Sequence, residues 1–395
     1  MIATFIYTEC QSAGTFKSEP GFKVKDVNLW KVRDNKIFVD QLNAENSTAL
    51  ESIIMETVGA LPYYESPKMS PFITESEFLA LEKHWVYMTV SQNYKAFVRM
   101  SSTGLANGRR GNPFHMGIIF EKSSLKVALN YWKKASGQSQ IYTPADLFHW
   151  SGWQDPRTDI ELEEIKLSPN NFPTPKLLPR KRFIDDSAYL ASHRAEIRTA
   201  LVEIEKAANQ GSPARLAVDN TWDFIKIAGI ATSLLPPDLT WSTNLQSSHL
   251  QRSSSERGWQ KAIVWDGNEQ ESVPKGSWAS TAMNLLDVEG YRELEPLLAA
   301  ASSGIHWKST DTNSGLWFLP MVLMLHSATP NEFLTKEDVL EAFNVALLYW
   351  PKDEVAFKSQ SFKVSVIARA NQIGDLAEPD KQRLIDLLDL VQVTA

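Results

Sequence analysis

The residues best suited to chemistry lie in one short run, Gly108-Arg109-Arg110-Gly111-Asn112-Pro113-Phe114-His115. Its two arginines carry forked N–H donors that match a carboxylate or a phosphate. The flanking glycines allow successive backbone amides to turn toward an anion. Asn112 and His115 add polar groups at the far end of the run. The same residues also suit a structural role, in which Asn112 satisfies loop backbone groups and the arginines pair with acidic side chains of their own domain. A second group is aromatic, Trp150 and Trp153 within the stretch TPADLFHWSGWQDP. Tryptophan serves cores and interfaces alike. The candidate binding residues are thus Arg109, Arg110, Asn112, His115, Trp150 and Trp153.

Much familiar chemistry has no place in the chain. It contains no G-x-x-x-x-G-K-[ST] run to cradle a nucleoside triphosphate, no G-x-G-x-x-G, no G-x-S-x-G and no H-E-x-x-H. The seven histidines are scattered, and none pairs with another at helical spacing for a metal. The single cysteine, Cys10, permits neither an internal disulfide nor a four-cysteine zinc site. No residue is therefore assigned a catalytic or metal-binding role, and no cofactor is expected.

The elements that must position the glycine–arginine run are strands. Residues 85–90 and 114–120 are apolar and aromatic, as a sheet requires, with a shorter extended piece at 96–100. The run at 114–120 is apolar on both faces, which predicts a strand covered on both sides. Residues 4–7 and 22–27 read as further strands, and 46–58 as a helix capped by Asn46 or Ser47. Residues 124–135 read as a second helix, and Thr143 caps a turn that Pro144 opens. Four prolines in SPNNFPTPKLLPRKR disfavour regular structure, and the closing Arg180, Lys181 and Arg182 read as a solvated linker end. Beyond it the pattern gives helices at 187–209 and 222–235 and strands at 215–218, 239–245 and 261–265. From 276 onward it is helical.

The fold class read from this order is α+β. It comprises an N-terminal mixed-sheet domain with helices (1–167), a proline-rich linker (168–184), a small α/β middle domain (185–275) and an acidic helical C-terminal region (276–395). The whole chain of 395 residues carries a net charge of −7, and the last region alone holds nine basic and sixteen acidic residues. An acidic surface repels phosphates, so no nucleic-acid partner is expected. The longest apolar run, 316–325, is about half of what a bilayer span needs. The N-terminus lacks the basic and apolar regions of a signal peptide. The expected location is the cytoplasm, without a membrane partner.

The order of motifs resembles the GTPase-associated proteins of bacterial conflict systems, adaptors encoded beside a dedicated GTPase. Gly108-Arg109-Arg110-Gly111-Asn112-Pro113-Phe114-His115 is similar to that family's Gly-Arg-x-Gly-Asn-x-Phe-x-His signature, except that histidine here follows phenylalanine directly. Tyr7 with Gly21-Phe22 matches the family's first strands, and Pro144-Ala145-Asp146-Leu147-Phe148 with Trp153 its proline–aromatic–tryptophan element. Leu234-Leu235-Pro236 and Leu239-Thr240-Trp241-Ser242-Thr243 resemble its middle domain. Val27-Asn28-Leu29-Trp30 stands where many relatives have Ser-Pro-Gly-Leu. The resemblance covers about residues 1–265. It implies a non-catalytic adaptor whose partners are a GTPase and an effector protein encoded nearby, acting in antiphage defence. The alternative is a hydrolase or transferase that acts on an anionic small molecule at the glycine–arginine loop.

Overall fold

The computed structural model describes most of residues 1–10, 21–106, 109–110, 113–124, 142–165, 181–210, 214–235, 240–247 and 262–265, with scattered positions between 279 and 298 and at 378–382. Strands β1 (Ile2–Cys10), β2 (Gly21–Arg33) and β3 (Lys36–Asp40) form a meander. Strands β4 (His84–Thr89) and β5 (Tyr94–Ser102) form a hairpin. A small ribbon of β6 (Leu105–Ala106) and β7 (Arg109–Arg110) leads into β8 (Pro113–Glu121). Strands β9 (Ala214–Leu216), β10 (Asn244–Gln246) and β11 (Ala262–Trp265) complete one nine-stranded sheet in the order β3-β2-β1-β8-β5-β4-β10-β11-β9.

The α+β class holds, with two corrections of detail. The N-terminal sheet is not mixed: all five strand contacts from β3 through to β4 are antiparallel. A short turn joins β4 to β5, a connection that suits antiparallel pairing. Among the described residues, parallel pairing enters only at β10–β11 and β11–β9, where helix α6 (Thr221–Ser233) lies in the connection from β9 to β10. The three strands of 185–275 also do not form a small sheet of their own. Leu245 and Gln246 of β10 pair with Tyr87 and Val86 of β4, so they extend the N-terminal sheet.

Helix α1 (Ala44–Ala60) covers one face of the sheet. Its Leu50 and Ile54 join Ala3, Phe5, Val86, Val98, Met100 and Ile119 in a buried core. Asn43 caps this helix, accepting from the Asn46 amide at 2.8 Å, three residues ahead of the expected start. The shorter helices α2 (Glu75–Leu79) and α3 (Asp159–Glu164) lie in the connections and begin at Thr74 and Thr158, whose side chains cap them. The second face, with Phe97, Phe114, Ile118 and Phe120, is also buried, so the interior of β8 is enclosed on both sides as its apolar pattern requires. Against it lie a 3-10 turn, Ala145–His149, and α6.

The helix expected at 187–209 is two, α4 (Ser187–Ser192) and α5 (Arg194–Gln210), separated at His193 with φ −117° and ψ 29°. Thr240 and Trp241 are helical, not strand, because their side chains are tied elsewhere: Thr240 Oγ1 donates to the Thr232 carbonyl at 2.8 Å and Trp241 Nε1 to the Tyr142 carbonyl at 3.0 Å. Among the described residues no helix is long and apolar enough to cross a membrane. Beyond Ser124, which is helical, the expected helix at 124–135 lies outside the described residues, as do the prolines of 168–180 and most of the C-terminal helices; the described positions between 279 and 298 are helical.

Candidate functional site

Side chains alternate across a strand, so register decides which of them share a face. On the α1 side, β1, β8, β5 and β4 bring Tyr7, His115, Met100 and His84 into one row. Tyr64 lies across this row. Its ring stands edge-on to His84 at 5.4 Å and to His115 at 6.1 Å, and its hydroxyl meets Ser102 Oγ at 3.0 Å and donates to the Glu82 carbonyl at 3.2 Å. Tyr7 stacks on His115, the planes 4° apart. Burial pushes the Tyr64 hydroxyl up to about 12 and holds the His115 imidazole down at about 4. Burial also lowers His84, with the Glu82 carboxylate opposing it. Both histidines are thus neutral near pH 7, and the Nδ1 atoms of both are buried without a hydrogen bond among the described residues.

The β6–β7 ribbon extends from the end of the sheet where this row sits. Its register sets Arg110 opposite Leu105 and Arg109 opposite Ala106. The ribbon is anchored where a side chain has no room: a Cβ at Gly104 would collide with the Arg157 carbonyl, while the Gly104 amide donates to the Pro156 carbonyl at 3.2 Å. The structure therefore brings His115 and the strand carrying both arginines to one end of the sheet. The side chains of Arg109 and Arg110, and Asn112 entirely, lie outside what is described.

Trp150 and Trp153 fall on the opposite face, both buried. Trp153 Nε1 donates to the Leu147 carbonyl at 2.8 Å, which fixes the ring at the end of the 3-10 turn. Trp85 and Trp150 stand edge-on to it, centroids 5.3 and 5.0 Å away. The close return of the chain depends on Gly152, where any Cβ would enter the Trp150 ring. The Arg99 guanidinium lies 5.3 Å from the Trp153 ring. Its Nη2 donates to Asp155 Oδ1 at 2.8 Å and to the Gln154 carbonyl at 2.7 Å. Lys83 Nζ is 3.7 Å from the same carboxylate. Burial depresses both Lys83 and Arg99, and Asp155 opposes that shift in each.

A third polar cluster ties three stretches of chain together. The Asp146 carboxylate accepts from the Thr143 amide at 2.7 Å, from Thr143 Oγ1 at 3.0 Å and from the Phe183 amide at 2.8 Å. Thr143 Oγ1 in turn accepts from the Asp146 amide at 3.3 Å, the cap expected for this turn. Burial pushes Asp146 up to about 6, despite those hydrogen bonds. Arg182, next along the chain, is not the solvated linker end that the charge run suggested. It is buried, with Asp185 at 2.7 Å and Glu295 at 2.6 Å, because flanking Phe183 and Ile184 enter the core.

Sequence reasoning missed Tyr64, His84, Arg99 and Asp155. Arg99 carried a usable signal, a lone cation within an otherwise apolar strand run. Tyr64 and Asp155 lie in irregular segments with no periodicity to mark them. Among the described residues no three His, Cys, Asp or Glu side chains gather as a metal site. In comparison with known proteins, no family model matches the chain, and no curated protein or solved structure matches it.

Proposed function

We propose that this chain is a non-catalytic cytoplasmic adaptor, of the kind its motifs resemble, that couples a GTPase to an effector protein in bacterial defence. The observation that carries this reading is the placement of His115. It is the one histidine of the glycine–arginine signature, and it is walled between Tyr7 and Tyr64 with 8% of its surface exposed. A general base must reach the proton it takes. A neutral, enclosed imidazole that makes no hydrogen bond to an acid among the described residues braces the sheet instead. The signature then serves as a scaffold that presents the β6–β7 ribbon, with Arg109 and Arg110, at the end of the sheet. Neither nucleic acid nor membrane is a partner in this reading.

The test is co-purification of the full chain with the products of neighbouring genes, with and without guanine nucleotide. The adaptor reading expects a GTPase to be retained in a nucleotide-dependent way. It also expects no saturable binding of GTP or ATP to this chain alone by calorimetry. Turnover of an anionic small molecule that Arg109→Ala or Arg110→Ala abolishes would favour the enzyme alternative and overturn the adaptor.

A further inference from the structure

Three N–H donors on the second face of the sheet have no acceptor among the described residues: Trp85 Nε1, Trp150 Nε1 and Arg99 Nε. Their residues are 1, 5 and 6% exposed. Native proteins leave few buried polar atoms unpaired, and these three belong to one cluster. Trp85 and Trp150 both border the Trp153 ring, Arg99 lies beside that ring, and Trp85 and Arg99 are cross-strand partners. Core packing alone asks only for apolar rings, and Phe97 and Phe120 meet that need on the same face.

The charge of the cluster points the same way. Arg99 and Lys83 supply two positive charges and Asp155 one negative charge, which leaves an excess of one positive. Arg99 Nη2 is engaged by Asp155 and the Gln154 carbonyl, so the guanidinium is held in place while its Nε edge is unspent. Trp153 is spent on Leu147 and acts as a wall rather than a donor. Lys83 and Asp155, whose side chains are 15 and 16% exposed, mark where the cluster meets solvent. Donors without acceptors, beside a net positive charge and aromatic walls, complement a group that only accepts and carries negative charge.

We infer that Trp85, Arg99 and Trp150, arranged around Trp153, form a binding site for the oxyanion group of a small molecule, a carboxylate or a phosphate. This goes beyond the adaptor reading and does not depend on it, since the cluster lies on the face opposite Tyr64 and His115. In an adaptor, such a site makes the protein responsive to a small anionic ligand.

The test is titration of the full chain with sodium phosphate and, separately, sodium acetate, each against sodium chloride at equal ionic strength. Tryptophan fluorescence and the melting temperature are the readouts. A saturable change with phosphate or acetate beyond that with chloride is expected, and the stronger of the two identifies the group. Trp150→Phe keeps a ring and removes one donor, so binding should weaken about tenfold, the effect of losing one hydrogen bond to a charged group. Trp222→Phe, on the exposed side of α6, should bind as the wild type does. Indole N–H resonances of the unaltered protein provide a readout that needs no variant: those of Trp85 and Trp150 should move with the anion and that of Trp222 should not. Equal response to chloride, wild-type affinity in a folded Trp150→Phe, unmoved Trp85 and Trp150 resonances, or a crystal structure with only water accepting from all three donors would each overturn the site.

Discussion

Arg182 Nη1 and Glu295 Oε1 meet at 2.6 Å across 113 residues of chain, with both side chains almost entirely withdrawn from water. The pair does not stand alone. Asp185 takes the other edge of the guanidinium, and the Tyr142 and Tyr291 rings lie 5.9 and 5.3 Å from it. Burial works against the charged form of Arg182, but Asp185 and Glu295 outweigh it and hold the cation well above its ordinary range. Burial, reinforced by Glu295, keeps the Tyr291 hydroxyl protonated.

Removing one member of a buried pair withdraws part of what holds the other, although Asp185 stays on the guanidinium when Glu295 is lost. Glu295→Ala should therefore cost less than the about 3–5 kcal/mol of a fully uncompensated buried charge, and Arg182→Ala, which takes the partner from both carboxylates, should cost more than Glu295→Ala. The double variant should lose clearly less than the sum of the two, read from denaturation midpoints in a double-mutant cycle. Additive losses would mean that the two groups do not act on each other.

Asp146 sets a pH dependence of its own. Its carboxyl titrates at about 6 in the folded chain, against an ordinary value of 3.8. A raised value means that the folded state holds the proton more tightly, so this contribution is complete below about pH 4 and is lost as pH rises through 6. Relative to Asp146→Asn, the wild type should lose about 3 kcal/mol between pH 4 and 7, by the linkage of 1.36 kcal/mol per pH unit. Stability measured across that range in both proteins checks the sign.

His115 works in the opposite direction. It titrates at about 4 when folded, against 6.5 ordinarily. The folded state binds the proton less well, so stability is complete above pH 6.5 and falls by about 3 kcal/mol on the way down to pH 4. His115→Phe should flatten that fall. The imidazole signals of His115 should show no titration between pH 5 and 8 by NMR; a midpoint in that range would place the ring in water.

The glycine–arginine run makes a separable prediction. Asn112→Ala should cost about 1–3 kcal/mol, as for a buried group left unpaired. Arg109 and Arg110 are neighbours in β7, and adjacent positions of a strand belong to alternate faces. Their alanine variants should differ clearly in stability. If all three variants keep wild-type stability yet lose a co-purifying GTPase, the run is a contact surface rather than a brace.

The central strands were legible because apolar runs of strand length leave few alternatives, and β4, β5 and β8 fall where that pattern put them. The Thr143 turn was legible from its capping spacing. What could not be read was pairing at a distance. Nothing local to Gln246 shows that it adds to β4, and nothing local to Arg182 shows that Glu295 neutralises it. Charge runs usually are solvated, and here two apolar neighbours, Phe183 and Ile184, prevailed over that tendency. The same limit applies to the donor cluster: Trp150 and Trp153 stood out by type, but Arg99 and Trp85 join them only through strand register.

The seam between β4 and β10 bears on the order in which the chain can mature during synthesis. The Trp85 backbone amide donates to Ser247 Oγ and the Ser247 amide donates back to the Trp85 carbonyl, 162 residues apart. Until residue 247 has emerged, β4 is an unprotected border of the sheet, apolar on both faces and able to template a foreign strand. Long-range pairing of this kind is slow to form. The first 167 residues made alone should therefore clump rather than behave as a free-standing module, and chaperone occupancy during translation should fall only after the β10 segment leaves the ribosome.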